Sequence, residues 1–262
     1  MATGSGNSTP RGSNRGGYKR KDCDKIIYRG DGGATSEKIR KDPKMAGTRL
    51  QMTKFGACGI TGSMIRDAMM DVANMGHSML SGDVVKLVSS IMDLDDTVPR
   101  PTQPSVIFSK GLHLLQGYNL NKEVVFDAVV STPVIYEIDY ELHKATLELP
   151  PLNPGANFKN PWNLPNFRFK VNFGIIRDMA FDGFEYRPLS PHTQEHTELV
   201  ETEWRSTKDK HPSESLELNY IDPLFDENCY YMLTIGIEFG TIRNGGFKRE
   251  KNASCGKILE VI

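Results

Sequence analysis

The chain has 262 residues, of which 38% are hydrophobic and 25% are charged, and its formal net charge is −1. These proportions are typical of a globular protein that can bury a core, and they exclude a fibrous or wholly disordered chain. No run approaches the roughly 18 consecutive apolar residues of a membrane-spanning helix, and the first thirty residues contain no apolar block typical of a secretory signal. The sequence therefore predicts a cytoplasmic protein that does not enter a membrane.

The charges are unevenly distributed along the chain. Residues 1–66 carry 14 Lys and Arg against 5 Asp and Glu, whereas residues 67–262 carry 18 against 28. Opposite signs at the two ends indicate either a basic N-terminal arm that binds an acidic partner, or an arm that lies on the acidic body of its own or a sister subunit. Both alternatives stay open at this point.

The first 22 residues are rich in Gly, Ser, Asn and Arg and contain one aromatic residue, Tyr18. Burial of so little apolar surface cannot offset the entropy of ordering, so we expect a disordered basic tail over 1–22. A short strand is expected between Cys23 and Arg29, before a turn at the glycines of 30–33. This strand begins a basic, mainly helical region that we expect to cover 23–118.

Helix signals fill most of that region. Ser36 can cap a short helix, which must end before Pro43 because the residue before a proline avoids the helical conformation. The strongest signal lies over 62–80, where apolar residues recur at helical spacing. The other expected helices cover 48–55, 106–115 and a segment from Ser81 or Asp83 to the acidic residues at 93–96.

Strand signals dominate after residue 119, where short segments rich in β-branched and aromatic residues are divided by Pro, Gly and Asn. No crossover helices separate these segments, which argues against a parallel α/β sheet. We therefore expect an α+β protein whose N-terminal helical region precedes an antiparallel β-sandwich, immunoglobulin-like or jelly-roll-like, over 119–262. A proline-rich loop is expected near 150–165. The expected strands are 124–126, 134–140, 145–149, 167–176, 184–187, 198–204, 216–220, 230–241 and 258–261.

Several motifs together resemble those of a known family. The run from Gly33 to Pro43, followed by Thr48-Arg49 and Phe55-Gly56, resembles the G-x-x-K-x-R-I-x-x-D-P…T-R…F-G signature of a large family of uncharacterised proteins common in Bacteroidetes genomes. Residues 147–154 are similar to that family's strand ending in P-x-x-N-P, and residues 233–245 are similar to its closing G-I-x-F…N-G hairpin. Lys54 departs from the pattern, which usually has Glu there. The resemblance implies the layout above and no activity.

One string matches a catalytic motif. His192, Glu195 and His196 form the H-x-x-E-H pattern of inverted zinc proteases, in which two imidazoles bind zinc and the carboxylate polarises a water molecule. That chemistry needs a helix and a third ligand from a later helix, whereas strand signals follow here. A polar loop is the favoured interpretation, and a zinc-dependent hydrolase is the alternative.

Two other sets of residues are candidate sites. Gly56, Gly59 and Gly62 precede the main expected helix and can cradle a phosphate, but no complete nucleotide-binding motif accompanies them, so turning and close helix packing are favoured. The four cysteines are far apart and form no C-x-x-C pair, which predicts free thiols. We predict no cofactor.

The basic N-terminal residues are the main candidate binding site. They can neutralise phosphates or carboxylates, and without recognisable base-reading elements any nucleic-acid binding would be independent of sequence. We therefore predict a non-enzymatic assembly or interaction protein that binds a protein partner or assembles with itself into an oligomer; the alternative is a nucleic-acid-associated protein. The candidate residues are Arg11, Arg15, Lys19, Arg20, Lys21, Lys25, Arg29, Lys38, Arg40, Lys41, Lys44 and Arg49.

Overall fold

The structure, a computed structural model, describes residues 34–96, 104–190, 197–220, 226–243 and 245–262, together with the backbone of two short strands, β1 (Tyr18–Lys19) and β2 (Ile26–Ile27). The chain divides into two compact units, Met1–Arg49 and Leu50–Ile262. The predicted domains over 1–22, 23–118 and 119–262 stay predictions. Apart from β1, the predicted disordered tail lies outside the described residues.

The first unit contains a strand pair and a short helix. Strand β2 lies within the expected strand, but it pairs antiparallel with β1, which precedes it in the chain. Helix α1 (Ser36–Lys41) ends before Pro43 as predicted. Its N-cap is Thr35 and not Ser36, because the Thr35 hydroxyl accepts a hydrogen bond from the Lys38 N–H at 3.2 Å. A 3-10 turn follows over Pro43–Met45.

Helix α2 (Ala46–Ala73) joins two helices that the sequence predicted separately. It runs through Gly56, Gly59 and Gly62, so these glycines lie inside a helix and cannot cradle a phosphate at its start. The prediction that the helix continues to residue 80 is wrong, since Asn74 and Gly76 are poor helix formers and a turn intervenes. Helix α3 (Leu80–Asp93) begins directly after that turn.

The remaining helices are short: a 3-10 turn at Phe108–Lys110, α4 (Leu112–Leu115) and α5 (Phe126–Val129). The predicted strand over 124–126 is wrong. Side-chain amides hold this segment in a turn, because Asn121 Oδ1 accepts the N–H of Glu123 at 2.9 Å and Asn119 Oδ1 accepts the N–H of Phe126 at 3.0 Å.

The strands form antiparallel sheets, which confirms the α+β class. The strands are β3 (Ile135–Asp139), β4 (Lys144–Leu149), β5 (Asn166–Arg177), β6 (Met179–Phe181), β7 (Tyr186–Pro188), β8 (Thr197–Glu201), β9 (Arg205–Ser206), β10 (Glu214–Asn219), β11 (Cys229–Arg243) and β12 (Gly246–Val261). A five-stranded sheet has the order β12, β11, β5, β8, with β9 also paired to β5. A three-stranded sheet has the order β10, β4, β3, and β6 pairs with β7.

Most expected strands are present within a few residues of their predicted bounds. Strands β6 and β9 were not predicted, and β12 begins twelve residues earlier than expected. Its first half was missed because residues 248–252 are almost entirely polar, and a strand without a buried face has no alternation of apolar and polar residues to recognise.

The two larger sheets share one hydrophobic core. Odd-numbered residues of β5 and β11, such as Phe169 and Leu233, lie in this core with Leu147 of β4 and Leu218 of β10. Four phenylalanines, at 158, 167, 169 and 239, are at most 1% exposed, and full burial of a side chain of this kind contributes roughly 1.5–3 kcal/mol. The even-numbered residues therefore face the other side of the five-stranded sheet.

A second core lies on that other side, between the sheet and helices α2 and α3. Ile65, Met69 and Val72 of α2 and Val88 of α3 are buried there with Met232 of β11. Helix and sheet approach closely at three buried glycines. A Cβ atom on Gly174 would lie 2.5 Å from the Ala68 carbonyl oxygen, and those on Gly236 and Gly256 would lie 3.2 and 3.1 Å from Val72 Cγ1. Glycine is needed where backbones pack this tightly.

Three of the four cysteines, Cys58, Cys229 and Cys255, are described, and each is a free, buried thiol. Desolvation by burial raises the pKa of all three and brings that of Cys255 to about 12. The prediction of free thiols is confirmed for these three, while Cys23 lies outside the described residues. Among the described helices, none combines the length and apolar character needed to span a membrane.

We expect Gly174→Ala to lower the free energy of unfolding by about 1–3 kcal/mol, because the new methyl group must displace the backbone carbonyl of Ala68. Urea denaturation measures the change. Gly82→Ala is the matched control: Gly82 is exposed on α3 with no neighbour within 4 Å of a Cβ, and alanine there should be neutral or stabilising by up to about 1 kcal/mol. Equal stability of Gly174→Ala and the unmodified chain would contradict the close packing described here.

Candidate functional site

The structure describes five of the predicted basic site residues with their side chains. Lys38, Arg40 and Lys41 on α1 and Lys44 in the 3-10 turn are exposed. Arg49 is partly buried and donates hydrogen bonds to the carbonyl oxygens of residues 39 and 42, at 2.7 and 3.0 Å, so it fastens the end of α1. Lys19 is described only as part of β1. The candidates outside the described residues are Arg11, Arg15, Arg20, Lys21, Lys25 and Arg29.

The predicted zinc string is not tested by the structure, because His192, Glu195 and His196 all lie outside the described residues. Within the described ranges, no group of three His, Cys, Asp or Glu side chains is arranged to hold a metal ion. Most of the sequence-predicted site residues therefore lie outside the described residues. Within the described residues, an extensive polar arrangement lies where α2 meets the five-stranded sheet.

That arrangement begins with a break in helix α2. Met70 has φ 43° and ψ −114°, outside the helical region, and a positive φ is a strained conformation for a residue with a long side chain. Such strain costs about 1–3 kcal/mol and persists only when neighbouring contacts impose it. The contacts that impose it come from the sheet.

Two side chains of β5 hold the residues after the break. Asn172 Oδ1 accepts a hydrogen bond from the buried Val72 N–H at 3.2 Å. This bond replaces the backbone acceptor that the Val72 N–H would have in an unbroken helix. The Asn172 side-chain amide in turn donates to the Glu198 carbonyl oxygen at 3.4 Å, which orients it. Lys170 Nζ lies 3.1 Å from Asp71 Oδ2. The polar even-numbered positions of β5 therefore fix the end of α2.

The following turn, residues 74–78, is held from two more segments. Arg249 Nη2 donates to the Asn74 carbonyl oxygen at 2.6 Å, and the Ser254 hydroxyl donates to the Met75 carbonyl oxygen at 3.5 Å, both from β12. The His77 N–H donates to the Leu120 carbonyl oxygen at 3.1 Å. The turn is thus tied to the edge of the sheet and to the segment before α5.

His77 also ties the turn to α3. Its Nδ1 accepts the Met79 N–H at 3.2 Å, which assigns the ring proton to Nε2, and Nε2 lies 2.9 Å from Asp83 Oδ2. Lys122 Nζ is 2.6 Å from the same carboxylate oxygen. Hydrogen bonding from Lys122 lowers the pKa of Asp83 below its ordinary value. The His77 ring therefore bonds to the turn through Nδ1 and lies against the Asp83 carboxylate through Nε2, and it serves to position the turn.

A large bulge in β12 lies across a cleft from the turn at residues 74–78. Glu238 pairs with Ser254 and Gly240 with Arg249, so a single residue of β11 faces four residues of β12, 250–253. Asn252 within the bulge has φ 64°, a left-handed conformation that asparagine tolerates better than most residues. Bulges of this kind redirect side chains. Here Lys251 and Asn252 are exposed as a result.

A network of charges, of which Glu238 and Lys170 are buried, lies between the bulge and the helix break. Glu238 is 1% exposed, and its two carboxylate oxygens lie 2.6 Å from Arg168 Nε and 3.3 Å from Arg249 Nε. Glu201 Oε1 is 2.5 Å from Lys170 Nζ, and Glu201 Oε2 is 2.5 Å from Arg168 Nη1. With Asp71, three carboxylates meet three cations. Because burial of an unpaired charge is costly, this balance is required for the site to form.

Two clefts open on either side of the turn. The first, of about 550 Å³, is lined by the turn, by the segment around Asn121 and by the bulge, and it carries Arg249 and Lys251 against one carboxylate, Glu123. Hydroxyl and carboxamide groups of Ser78, Asn74 and Asn252 complete its polar lining. The second, of about 670 Å³, carries Asp67 and Asp71 against Arg66. We name the first the cationic cleft.

The cationic cleft can hold an anionic oxygen group, because guanidinium, ammonium and amide groups are donors for carboxylate and phosphate oxygens. Sequence reasoning missed it, since its residues come from three distant segments and the register of β11 and β12 brings them together. The polar run at residues 248–252 was the one local signal. Comparison of the chain with protein-family models, with curated proteins and with solved structures found no match, so the resemblance to the Bacteroidetes family stays a prediction.

We expect Asn172→Leu to lower the free energy of unfolding by about 1–3 kcal/mol, because the buried Val72 N–H loses its acceptor while the number and branching of the side-chain heavy atoms are kept. Thermal or urea denaturation measures the loss. Thr234→Val is the control on the neighbouring strand. The buried Thr234 hydroxyl donates a long hydrogen bond, 3.5 Å, to the Asn172 carbonyl oxygen, so loss of this hydroxyl should cost less than about 1 kcal/mol. Equal losses in the two variants would contradict the special role of Asn172.

A second prediction concerns pH. The pKa of Asp83 lies below its ordinary 3.8 in the folded protein, so its stabilising contribution is present at neutral pH and is lost as pH falls through the folded pKa. Lys122→Gln should therefore cost up to about 1 kcal/mol at pH 7, and this difference from the unmodified chain should vanish at low pH. Lys86 and His77, which also face Asp83, remain in place in the variant. A difference that is equal at pH 2 and pH 7 would contradict this assignment.

Proposed function

We propose that the protein is a non-enzymatic interaction protein that binds an acidic partner, with the second unit as a rigid platform and the basic N-terminal residues as an electrostatic aid. The observation that carries the proposal is the cationic cleft, whose walls are held in place by contacts from β5, β12, α3 and the segment around residue 120. A site fixed before binding loses little conformational entropy when its partner arrives.

The chemistry of the cleft favours an anion. Arg249 is anchored through Nε to Glu238 and through Nη2 to Asn74, which fixes the direction of its guanidinium group. Lys251 is exposed at the rim and can follow a mobile partner. A fixed guanidinium beside a flexible ammonium suits carboxylate or phosphate groups, because charge-assisted hydrogen bonds to such groups are roughly twice as strong as neutral ones.

The charge of the N-terminal residues adds to this attraction. Residues 1–66 carry nine more cations than anions, and the described members on α1 and the 3-10 turn, Lys38, Arg40, Lys41 and Lys44, are exposed. Clustered charges of one sign raise the rate of encounter with an oppositely charged partner and make binding dependent on salt. An acidic surface on a protein, on a sister subunit or on a nucleic acid meets this requirement.

We assign the platform to the β-sandwich class as part of this proposal. The assignment is supported by the core that the three-stranded and five-stranded sheets share and by their antiparallel order. A sandwich suits a binding role, since its sheets are rigid while the turns and strand ends can vary.

Binding of fluorescein-labelled poly-L-glutamate tests the proposal. The full chain should bind this probe, with affinity that falls as NaCl rises from 50 to 300 mM, and Lys251→Glu should weaken binding about 10-fold because it reverses one charge at the rim. Lys210→Glu is the matched control, since Lys210 is exposed in the loop between β9 and β10, outside the residues that line the cleft. It should change affinity less than twofold.

Light scattering in parallel gives the mass of the complex and shows whether the chain associates with itself. The proposal would be overturned if the folded chain bound neither poly-L-glutamate nor any nucleic acid at 50 mM NaCl. Equal effects of Lys251→Glu and Lys210→Glu would show that overall charge, and not the cationic cleft, determines binding.

A further inference from the structure

The hairpin that joins β11 to β12 extends beyond the rest of the sheet. Pairing of β11 with β5 ends at Gly240, whereas its pairing with β12 continues through Thr241, Ile242 and Arg243. No third strand is paired with this extension among the described residues. Ile242 and Phe247 face each other across the two strands and are 60% and 50% exposed, so a pair of apolar side chains is exposed on the part of the hairpin that extends past the sheet.

Phe247 is the outer member of a stack of planar groups. Its ring lies over that of Trp204, with centroids 5.6 Å apart and planes 5° from parallel. The Arg168 guanidinium carbon lies 4.9 Å from the centre of the Trp204 ring. Gly240 makes room for the indole, because a Cβ atom there would come within 2.8 Å of Trp204.

The stack is rigid at its inner end. Arg168 is held between Glu238 and Glu201, both within 2.6 Å, so the guanidinium group under the indole cannot turn away. The exposed phenyl ring therefore stacks on an indole ring that is itself contacted by a held guanidinium group. An exposed aromatic side chain without such support is common on protein surfaces, whereas a ring that is stacked on a second, parallel ring is a surface on which another planar group can stack.

The same hairpin is positively charged. Arg243, Lys248, Arg249 and Lys251 are its cations, and Glu250 is its single anion, with Arg243 Nη2 2.5 Å from Glu250 Oε1. Lys248 and Lys251 are exposed on the strand that carries Phe247. Arg249 and Lys251 also line the cationic cleft, so the stack and the cleft share one continuous strand segment.

We infer that the acidic partner is single-stranded nucleic acid, with a base stacked on Phe247 and with phosphates bound by Lys248, Lys251 and the cationic cleft. The inference rests on the proposed function and names its partner. An aromatic platform beside cations is how proteins bind single strands without reading sequence, because every base has a π-face and every nucleotide a phosphate. The duplex buries its base faces, and an acidic peptide has no regular planar groups, so both use the cations alone.

The experiment measures binding of a labelled 15-nucleotide oligothymidine to the full chain, by fluorescence anisotropy at 50, 100 and 200 mM NaCl. Phe247→Ala should weaken binding about 10-fold at each salt concentration, while Phe247→Trp, which keeps a stacking ring, should stay within about threefold of the unmodified chain. Phe184→Ala is the matched control, since Phe184 is 94% exposed on the turn between β6 and β7. It should leave affinity unchanged. Circular dichroism verifies the fold of each variant.

Three further probes separate the inference from the proposed function: a 15-base-pair duplex, labelled poly-L-glutamate and vesicles containing anionic lipid. Phe247→Ala should leave the affinities for the duplex and for poly-L-glutamate within about twofold of those of the unmodified chain. Lys251→Glu should lower the affinity for every polyanion. If Phe247→Ala lowered the affinities for poly-L-glutamate, duplex and single strand by the same factor, the stacking role would be overturned and the proposed function would stay intact. An unchanged single-strand affinity in that variant would do the same. Vesicle binding that needs Phe247, without single-strand binding, would assign the hairpin to a lipid surface and overturn the inference.

Discussion

The second unit depends on how one broken turn of helix is compensated. At Met70 the backbone of α2 leaves the helical region, and the buried Val72 N–H would lack an acceptor without Asn172 on the sheet. A strand side chain can reach a helix backbone because Gly174 and its neighbouring glycines let the two approach closely. The strain at Met70 is therefore stabilised by tertiary contacts and not by the preference of the local sequence.

One buried carboxylate connects the two surfaces to which we assign function. Glu238 contacts Arg249, which lines the cationic cleft, and Arg168, which supports the Trp204 ring. Each cation is thereby directed by a partner that solvent does not reach. Because removal of one partner from a buried ionic group leaves an uncompensated charge, the cleft and the stack are expected to form or fail together. The arrangement links base stacking and phosphate binding through a shared interior group.

The sequence predicted what local patterns determine. Alternating apolar residues in β5 and β11 marked the long central strands, and Pro43 marked the end of α1. It did not predict that α2 continues through Gly56, Gly59 and Gly62, because packing outweighed the weak helix propensity of these glycines. The cleft depends on the β11 to β12 register and on the left-handed backbone of Asn252, and neither is encoded by neighbouring residues alone. Charge counting found the basic N-terminal residues, but it did not find Arg168, Lys170 and Arg249, whose carboxylate partners the fold brings to them.

The buried cysteines make the cores accessible to chemical kinetics. Cys255 lies between the sheets, Cys58 on α2 and Cys229 at the start of β11, and burial raises the pKa of each thiol. Since the thiolate is the reactive form, alkylating reagents should modify these side chains only during transient opening of the surrounding structure. The labelling rates of the three thiols would then give separate opening free energies for the helix-covered and sheet-covered faces of the same sheet.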